Sequence, residues 1–311
     1  MPLLVHSMTH ESAGVVSLEL VDPEGRDLPS WEPGSHLDLV LPSGLSRQYS
    51  LSGDPHDRRR YRLGVLREPA GQGGSAYVHD TLRPGQTVEF AGPRNHFRLE
   101  PAAAYVFVAG GIGITPILPM LAAATAAGAE WTLVYGGRTA ASMAFTDELA
   151  RYGDRVTLWP QDTHGLLDLD GLLGSPRPAT LVYCCGPEAL LGAVEERMAA
   201  WPAGALHLER FSAPVVERDP AAEHSLDVVL AESGRTVSVP PDRSVLDVLL
   251  DEGVDVLSDC REGICGTCEV KVVEGEVDHR DYVLSEPEKA ANNCMMVCVS
   301  RACGKRLVLG L

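Results

Sequence analysis

No apolar run in the 311 residues approaches the ~20 that a membrane-spanning helix needs. The N-terminus, MPLLVHSMTHESAG, has neither the basic start nor the long apolar core of a secretion signal. A soluble, cytoplasmic protein with no membrane partner is therefore expected. Basic residues are also scarce, 26 Lys and Arg against 43 Asp and Glu, for a net charge of -17. Such a surface repels nucleic acid and anionic lipid, and either favours encounter with an electropositive protein patch or simply keeps the protein soluble. There is no internal repeat and no low-complexity tract.

Three segments separate by pattern. Up to about Leu99 the chain reads as short alternating strands: GVVSLELVD, SHLDLVLP, RQYSLSG, YRLGVLRE and TVEFAGP. Glycine and proline between them predict a small antiparallel barrel. Near Ala103 the rhythm changes to strands alternating with helices. AYVFVAGG, WTLVYGG, RVTLWP, TLVYCCG and ALHLERF read as strands. TPILPMLAAATAAG, a stretch near Ala144–Tyr152 and PEALLGAVEERMAAW read as helices. This order predicts a doubly wound parallel sheet. Ser212 to His224 has no periodicity and reads as a linker. After it, SLDVVLAESGRTVSVPP predicts a hairpin and SVLDVLLDEG a short amphipathic helix.

Six of the eight cysteines fall in the last 52 residues. In a reducing compartment that clustering points to metal or redox chemistry rather than disulfides. Cys260, Cys265 and Cys268 have the spacing C-x4-C-x2-C, and Cys298 follows thirty residues after Cys268. This is the plant-type [2Fe–2S] pattern: three thiolates in one tight loop and a distant fourth. Gly263 and Gly266 let the backbone approach the sulfurs and aim N–H groups at them. Zinc fits less well, since only Cys265–Cys268 has the close spacing of a zinc pair. Cys294 competes with Cys298 for the fourth place, but the spacing and the strand-like stretch MMVCVSRA favour Cys298. Cys294 and Cys303 read as ordinary semi-buried thiols.

The loop Asp259–Val270 together with MMVCVSRA resembles the C-terminal ferredoxin domain of phthalate dioxygenase reductase and its relatives, including vanillate demethylase reductases. The resemblance runs over nearly the whole chain. It implies a flavin-binding antiparallel barrel at 1–99 and an α/β doubly wound NAD-binding domain at 100–211. A linker at 212–224 and an α+β plant-type ferredoxin (β-grasp) domain at 225–311 complete the expected order.

RQYSL carries the R-x-Y-S pattern of ferredoxin-reductase-like flavin barrels. Arg47 and Tyr49 share a strand face, one suited to a flavin phosphate and the other to the isoalloxazine, with Ser50 beside them. VLREPAGQGGSAYVHDTL resembles the family segment that places Leu66 at the flavin and offers Gly73, Gly74 and Ser75 to its phosphate. The resemblance implies FMN, with FAD as the alternative.

VAGGIGITPIL is a GGxGxTP turn rather than the dinucleotide G-x-G-x-x-G. Gly110, Gly111 and Gly113 permit a sharp turn and close approach of a pyrophosphate, with Thr115 as a cap. YCCGPEALL resembles the family's second nicotinamide motif, so Cys185, Gly186 and Pro187 would border the nicotinamide ring. Cys184 alternates to the other side and reads as packing. Phe211 matches the family's aromatic residue over the flavin, which makes Phe211 and Cys185 the candidate catalytic residues. Glu209 reads as a strand-end carboxylate. Arg138 could attract a 2′-phosphate, whereas Asp147 and Glu148 oppose one. In the resembling family the GGRT region accompanies NADH, so NADH is expected before NADPH.

Together these implications describe a monomeric converter of electron pairs to single electrons, which passes them from NADH through FMN and [2Fe–2S] to an oxygenase component. A Rieske-type oxygenase acting on an aromatic substrate is the expected acceptor. A haem monooxygenase and a redox-sensing binding protein are the alternatives.

Overall fold

Strand periodicity sets the N-terminal sheet. β1 (Pro2–Ser12), β2 (Val15–Val21), β3 (Ser35–Val40), β4 (Ser46–Ser50), β5 (Tyr61–Leu66) and β6 (Thr87–Asn95) run in the order β4-β3-β6-β1-β2-β5, every neighbour antiparallel. A bridge between Leu51 and Leu63 joins the two edges, so the sheet curls on itself. Leu3, Val5, Leu18, Leu20, Leu37, Leu39, Leu63 and Val65 fill its interior. The computed structural model describes residues 1–41, 46–69, 71, 73–213 and 223–311. β1 is an addition to the sequence reading. Its polar residues obscure the alternation, and backbone pairing to both β2 and β6 holds it.

A short helix α1 (Gly74–Asp80) interrupts the barrel strands. Then β7 (Ala104–Gly110), β8 (Glu130–Gly137), β9 (Val156–Pro160), β10 (Thr180–Cys185) and β11 (Leu206–Glu209) form a parallel sheet in the order β11-β10-β7-β8-β9. The helices around it are α2 (Ile114–Ala126), α3 (Thr146–Leu149), α4 (Gln161–His164), α5 (Leu169–Leu173) and α6 (Glu188–Arg197). Successive residues of each strand feed opposite faces. Phe107 and Tyr183 therefore join the layer under α2, while Val108 and Cys184 join the layer under α6. The helix expected near Ala144–Tyr152 is broken. α3 is one turn long, and Gly153 at φ 56° interrupts the 3-10 turns that follow.

The barrel and the parallel sheet belong to one unit, Met1–Arg210. A Cβ on Gly64 of β5 would lie 2.6 Å from Thr115 Cγ2 and 3.2 Å from the Phe145 ring. Arg62 Nη1 donates to Glu148 Oε2 at 2.8 Å, and its guanidinium sits 5.2 Å from the Phe145 centroid. Close packing and a partly desolvated ion pair thus fix the barrel to the nucleotide sheet.

The second unit is Phe211–Leu311. Residues 214–222 of the expected linker lie outside the described residues. β12 (Leu226–Leu230), β13 (Thr236–Val239), β14 (Glu269–Glu274), β16 (Cys294–Met296) and β18 (Arg306–Leu309) form a sheet in the order β13-β12-β18-β14-β16. β12 and β13 are the expected hairpin, and β12 pairs in parallel with β18. β15 (Val277–Asp278) and β17 (Arg301–Ala302) make a small ladder, and α7 (Val245–Asp251) and α8 (Glu286–Ala291) complete the unit. Val245, Leu246, Val248 and Leu249 seat α7 on the sheet core. Where the unit begins, Glu223 accepts from Arg280 at 2.7 and 3.2 Å and lies 3.1 Å from Arg301 Nε. Arg301 is buried and also donates to the carbonyls of Arg243, His224 and Pro240.

Candidate functional site

The cysteine loop owes its shape to three residues at positive φ: Arg261 at 57°, Gly263 at 72° and Gly266 at 74°. A Cβ on Gly263 would lie 2.6 Å from Val299 Cγ2 and 3.2 Å from Asp281 Cα, so that glycine answers both conformation and space. The turns aim backbone N–H groups at sulfur. Glu262 N donates to Cys260 Sγ at 3.3 Å, and the N–H groups of Ile264, Thr267 and Gly263 serve Cys260, Cys265 and Cys298.

Cys298 lies in a turn, not on the strand that MMVCVSRA suggested. β16 stops at Met296, whose carbonyl accepts from both Val299 and Ser300. Continued pairing would lock Cys298 into the sheet. The turn instead brings its sulfur to Cys268, with which it shares a hydrogen bond, as Cys260 does with Cys265. In each pair one thiol is lowered and its partner raised. Cys265 is lowered by the Cys260 thiol, and Cys268 by that of Cys298.

Among the described residues no three His, Cys, Asp or Glu side chains converge as they would around one metal ion. The sulfurs form two pairs instead. That is what two bridged irons need, since each takes two protein thiolates, and the donor set therefore fits [2Fe–2S] better than zinc. Cys265, Cys268 and Cys298 are buried and Cys260 is half-buried. Cys294 sits on β16 opposite Lys271, and burial pushes its thiol up to about 11. Cys303 is exposed.

In the first unit, Arg47, Tyr49 and Ser50 lie on the edge strand β4. The stem of Arg47 crosses Gly74, where a Cβ would lie 2.7 Å from Arg47 Cγ. Gly74 thus leaves room for a cation beside the start of α1, which Gly73 opens at φ 91°. A cationic side chain, a bare backbone and a half-buried tyrosine on one strand fit a phosphorylated flavin. Burial raises Tyr49 to about 12. The Ser75 hydroxyl accepts from Glu68 N–H at 3.0 Å, which ties the loop back on itself. Leu66 ends β5 half-buried and packs on the core beneath the parallel sheet.

The turns after β7 and β10 meet backbone to backbone. Gly111 adopts φ 56° with open space around it, whereas Gly113 has an ordinary φ of -61° and no space at all. A Cβ on Gly113 would enter the Cys185 carbonyl and lie 2.8 Å from Gly186 N. Gly110 similarly faces Pro187 Cδ and Leu190 Cδ2, each at 2.8 Å. Strand order reverses between β7 and β10, so these glycines line the crevice where a doubly wound sheet takes its ligand. Thr115 is buried, and its hydroxyl donates to Ile112 O at 2.9 Å.

Cys185 ends β10 beside Glu209 of β11, its register partner, and Cys184 faces the opposite core. The Glu209 reading as a plain strand-end carboxylate understates it. Glu209 Oε2 accepts from Cys185 Sγ at 3.8 Å and from Ser50 Oγ at 3.5 Å, which joins barrel and nucleotide sheet. Burial raises its pKa to about 8, and the two donors pull it back only in part. Burial also drives the Cys185 thiol well above its ordinary value, with Glu209 adding to it. Phe211 follows β11 as the first residue of the second unit and is 44% exposed.

Because the folded-state pKa of Glu209 exceeds the unfolded one near 4.5, the folded chain binds that proton more tightly. The resulting stability is complete below pH about 4.5 and is lost as pH rises through about 8. Glu209→Gln carries no such proton. Its melting temperature relative to the native chain should rise by roughly 8–15 °C between pH 5 and 9, since a shift from 4.5 to about 8 is worth about 4 kcal/mol over that range. A difference that stays constant across that range would show that Glu209 titrates normally.

Two family models match. Residues 228–303 match the 2Fe-2S iron-sulfur cluster binding domain, and residues 107–196 match the oxidoreductase NAD-binding domain. The phenoxybenzoate dioxygenase subunit beta of Ectopseudomonas oleovorans is 41% identical over 99% of this chain and 97% of its own. The solved phthalate dioxygenase reductase, described as a modular structure for electron transfer from pyridine nucleotides to [2Fe–2S], is 38% identical. It has a TM-score of 0.73 and covers 100% of this chain and 98% of that one. An intact type IV self-sufficient cytochrome P450 monooxygenase is 48% identical with a TM-score of 0.95. All of this chain is covered, but only 41% of the P450 chain.

Proposed function

The chain belongs to the phthalate dioxygenase reductase family, and on that premise we propose that it is the NADH-dependent reductase component serving a Rieske-type non-haem iron oxygenase that acts on an aromatic substrate. The observation that carries the reading is end-to-end similarity to a dioxygenase subunit, with the four sulfurs in two pairs. Residues 1–99 hold FMN, 100–211 bind NADH, 212–224 tether, and 225–311 hold the cluster. The chain works as a cytoplasmic monomer.

When bound, the flavin supplies the conversion of a hydride pair into single electrons, and the cluster relays them. The rest is the work of the chain. Arg47 would neutralise the flavin phosphate beside Gly73, Gly74 and Ser75, while Tyr49, Ser50 and Leu66 would line the ring. Gly110, Gly111, Gly113, Thr115, Gly186 and Pro187 shape the crevice for the NADH pyrophosphate and nicotinamide. Cys185 borders the nicotinamide, and Glu209 holds a proton on its carboxyl at neutral pH while Ser50 and Cys185 orient it. Cys260, Cys265, Cys268 and Cys298 hold the irons, with loop N–H groups offsetting the thiolate charge.

A second reading, service to a haem monooxygenase, is favoured by the 48% identity to the P450-fused module. Purified protein should absorb as flavin and iron–sulfur together, and NADH should bleach both. The reduced protein, offered a Rieske oxygenase component and a P450 haem domain under the same conditions, should reduce the first faster. The opposite order selects the second reading. Colourless, folded protein that refuses flavin and iron would end both.

A further inference from the structure

We infer that Asp281 is a positioning residue for electron transfer: it fixes a clamp, residues 280–284, that holds the cysteine loop against the turn carrying Cys298 and so tunes the reduction potential of the cluster. The inference rests on the reading of the four cysteines as [2Fe–2S] ligands. None of the clamp residues is itself a ligand. The two parts of the cage come from distant stretches of chain, the loop of Cys260, Cys265 and Cys268 and the turn after β16. Something must fix the distance and orientation between them.

The clamp bonds to both parts through its backbone. Tyr282 N–H donates to Gly263 O at 2.9 Å, inside the three-cysteine loop. Arg280 N–H donates to Ser300 Oγ at 3.1 Å, two residues beyond Cys298. Ser300 is buried, and its own N–H donates to Met296 O at 2.9 Å. Asp281 sits between these anchor points. Its Cα is 3.2 Å from the place a Cβ on Gly263 would occupy, so loop and clamp are in close contact.

The Asp281 side chain gives the clamp its shape. It is buried, and Oδ1 accepts from Val283 N–H at 3.1 Å and Leu284 N–H at 2.8 Å. Those two bonds turn the chain around Tyr282 and fix the direction of its N–H. Oδ2 lies 3.6 Å from His279 Nδ1 and accepts no hydrogen bond among the described residues. Burying a carboxylate is costly, and here its hydrogen bonds all serve the clamp. Gly263 carries the effect to the cluster: its carbonyl is held by Tyr282, and its N–H serves the Cys298 sulfur. At φ 72°, a glycine released from Tyr282 is free to turn elsewhere. An N–H aimed at sulfur favours the more negative, reduced cluster, so losing that aim lowers the potential.

The test uses the full holoprotein and compares Asp281→Ala with Asp281→Asn. Both remove the carboxylate charge, and asparagine alone keeps an oxygen for the Val283 and Leu284 N–H groups. The potential is measured by anaerobic redox titration, with the reduced centre followed by electron paramagnetic resonance. Cluster reduction should be roughly tenfold less favourable in Asp281→Ala than in Asp281→Asn, a fall of about 59 mV. A merely structural role would lower the melting temperature and the cluster content while leaving the potential of the retained cluster unmoved. Equal potentials in the two variants would overturn the inference and leave the cluster assignment standing. If Asp281→Ala retains no cluster, Ser300→Ala loosens the other end of the clamp without a change of charge. A lower potential than native in that variant supports the clamp, and a native potential overturns it. Native protein with no paramagnetic iron centre after reduction would sink the cluster assignment itself.

Discussion

Cys265→Ser protein will purify with flavin and with less than about a tenth of the native iron, and its reduction of an acceptor protein will fall at least about 100-fold. Changes merely adjacent to metal ligands already cost about 10- to 100-fold in affinity or activity, and Cys265 is itself a proposed ligand. It is buried, its thiol is lowered by the Cys260 thiol beside it, and the two share a hydrogen bond. Serine at this position would lose the thiolate and leave Cys260 without its partner. The flavin and nicotinamide residues other than Phe211 belong to the first unit, and all four sulfurs belong to the second. Flavin reduction by NADH should therefore stay within about threefold of native by stopped-flow absorbance. If it collapses while circular dichroism shows an intact fold, the two halves do not work separately.

The second large effect is expected at a residue with no side chain. Gly113→Ala should destabilise the first unit by about 3 kcal/mol or more and raise the KM for NADH at least tenfold, roughly the effect of losing one well-placed contact. Backbone conformation is not the reason, because φ is -61° and alanine adopts that freely. The obstacle is the carbonyl of Cys185 and the amide of Gly186, neither of which can rotate aside. Gly111 provides the contrast, with φ at 56° and nothing within reach of a Cβ. Gly111→Ala should cost only about 1–2 kcal/mol, the penalty of the left-handed region. Thermal melts of both variants decide the matter. Equal losses would mean that the turns after β7 and β10 do not need their close approach.

These two glycines mark what sequence reading reaches. GGxGxTP announces a tight turn near a nucleotide, and the cysteine spacing announces a cluster, because both are local patterns in a short stretch of chain. Alternation gave five of the six barrel strands for the same reason. β1 escaped because backbone pairing holds its polar residues. The turn at Cys298 escaped because the apolar residues around it imitate a strand. Glu209 is the clearest case. Nothing beside it predicts a raised pKa, which arises from burial against Cys185 and against Ser50, 159 residues away in sequence. Glu148 likewise looked available to a ligand until Arg62, 86 residues distant, was found on it.

The place where Glu223 meets Arg280 and Arg301 governs how the ferredoxin half could be transplanted. A chimaera whose borrowed module began at Ser225 would strip Glu223 from the buried guanidinium of Arg301 and leave Arg280 with Asp278 alone, 2.6 Å from its Nε. Unmatched charge of that kind undermines a small fold from inside. The seam for any graft therefore belongs upstream of Glu223, so that the module travels with the carboxylate that neutralises it.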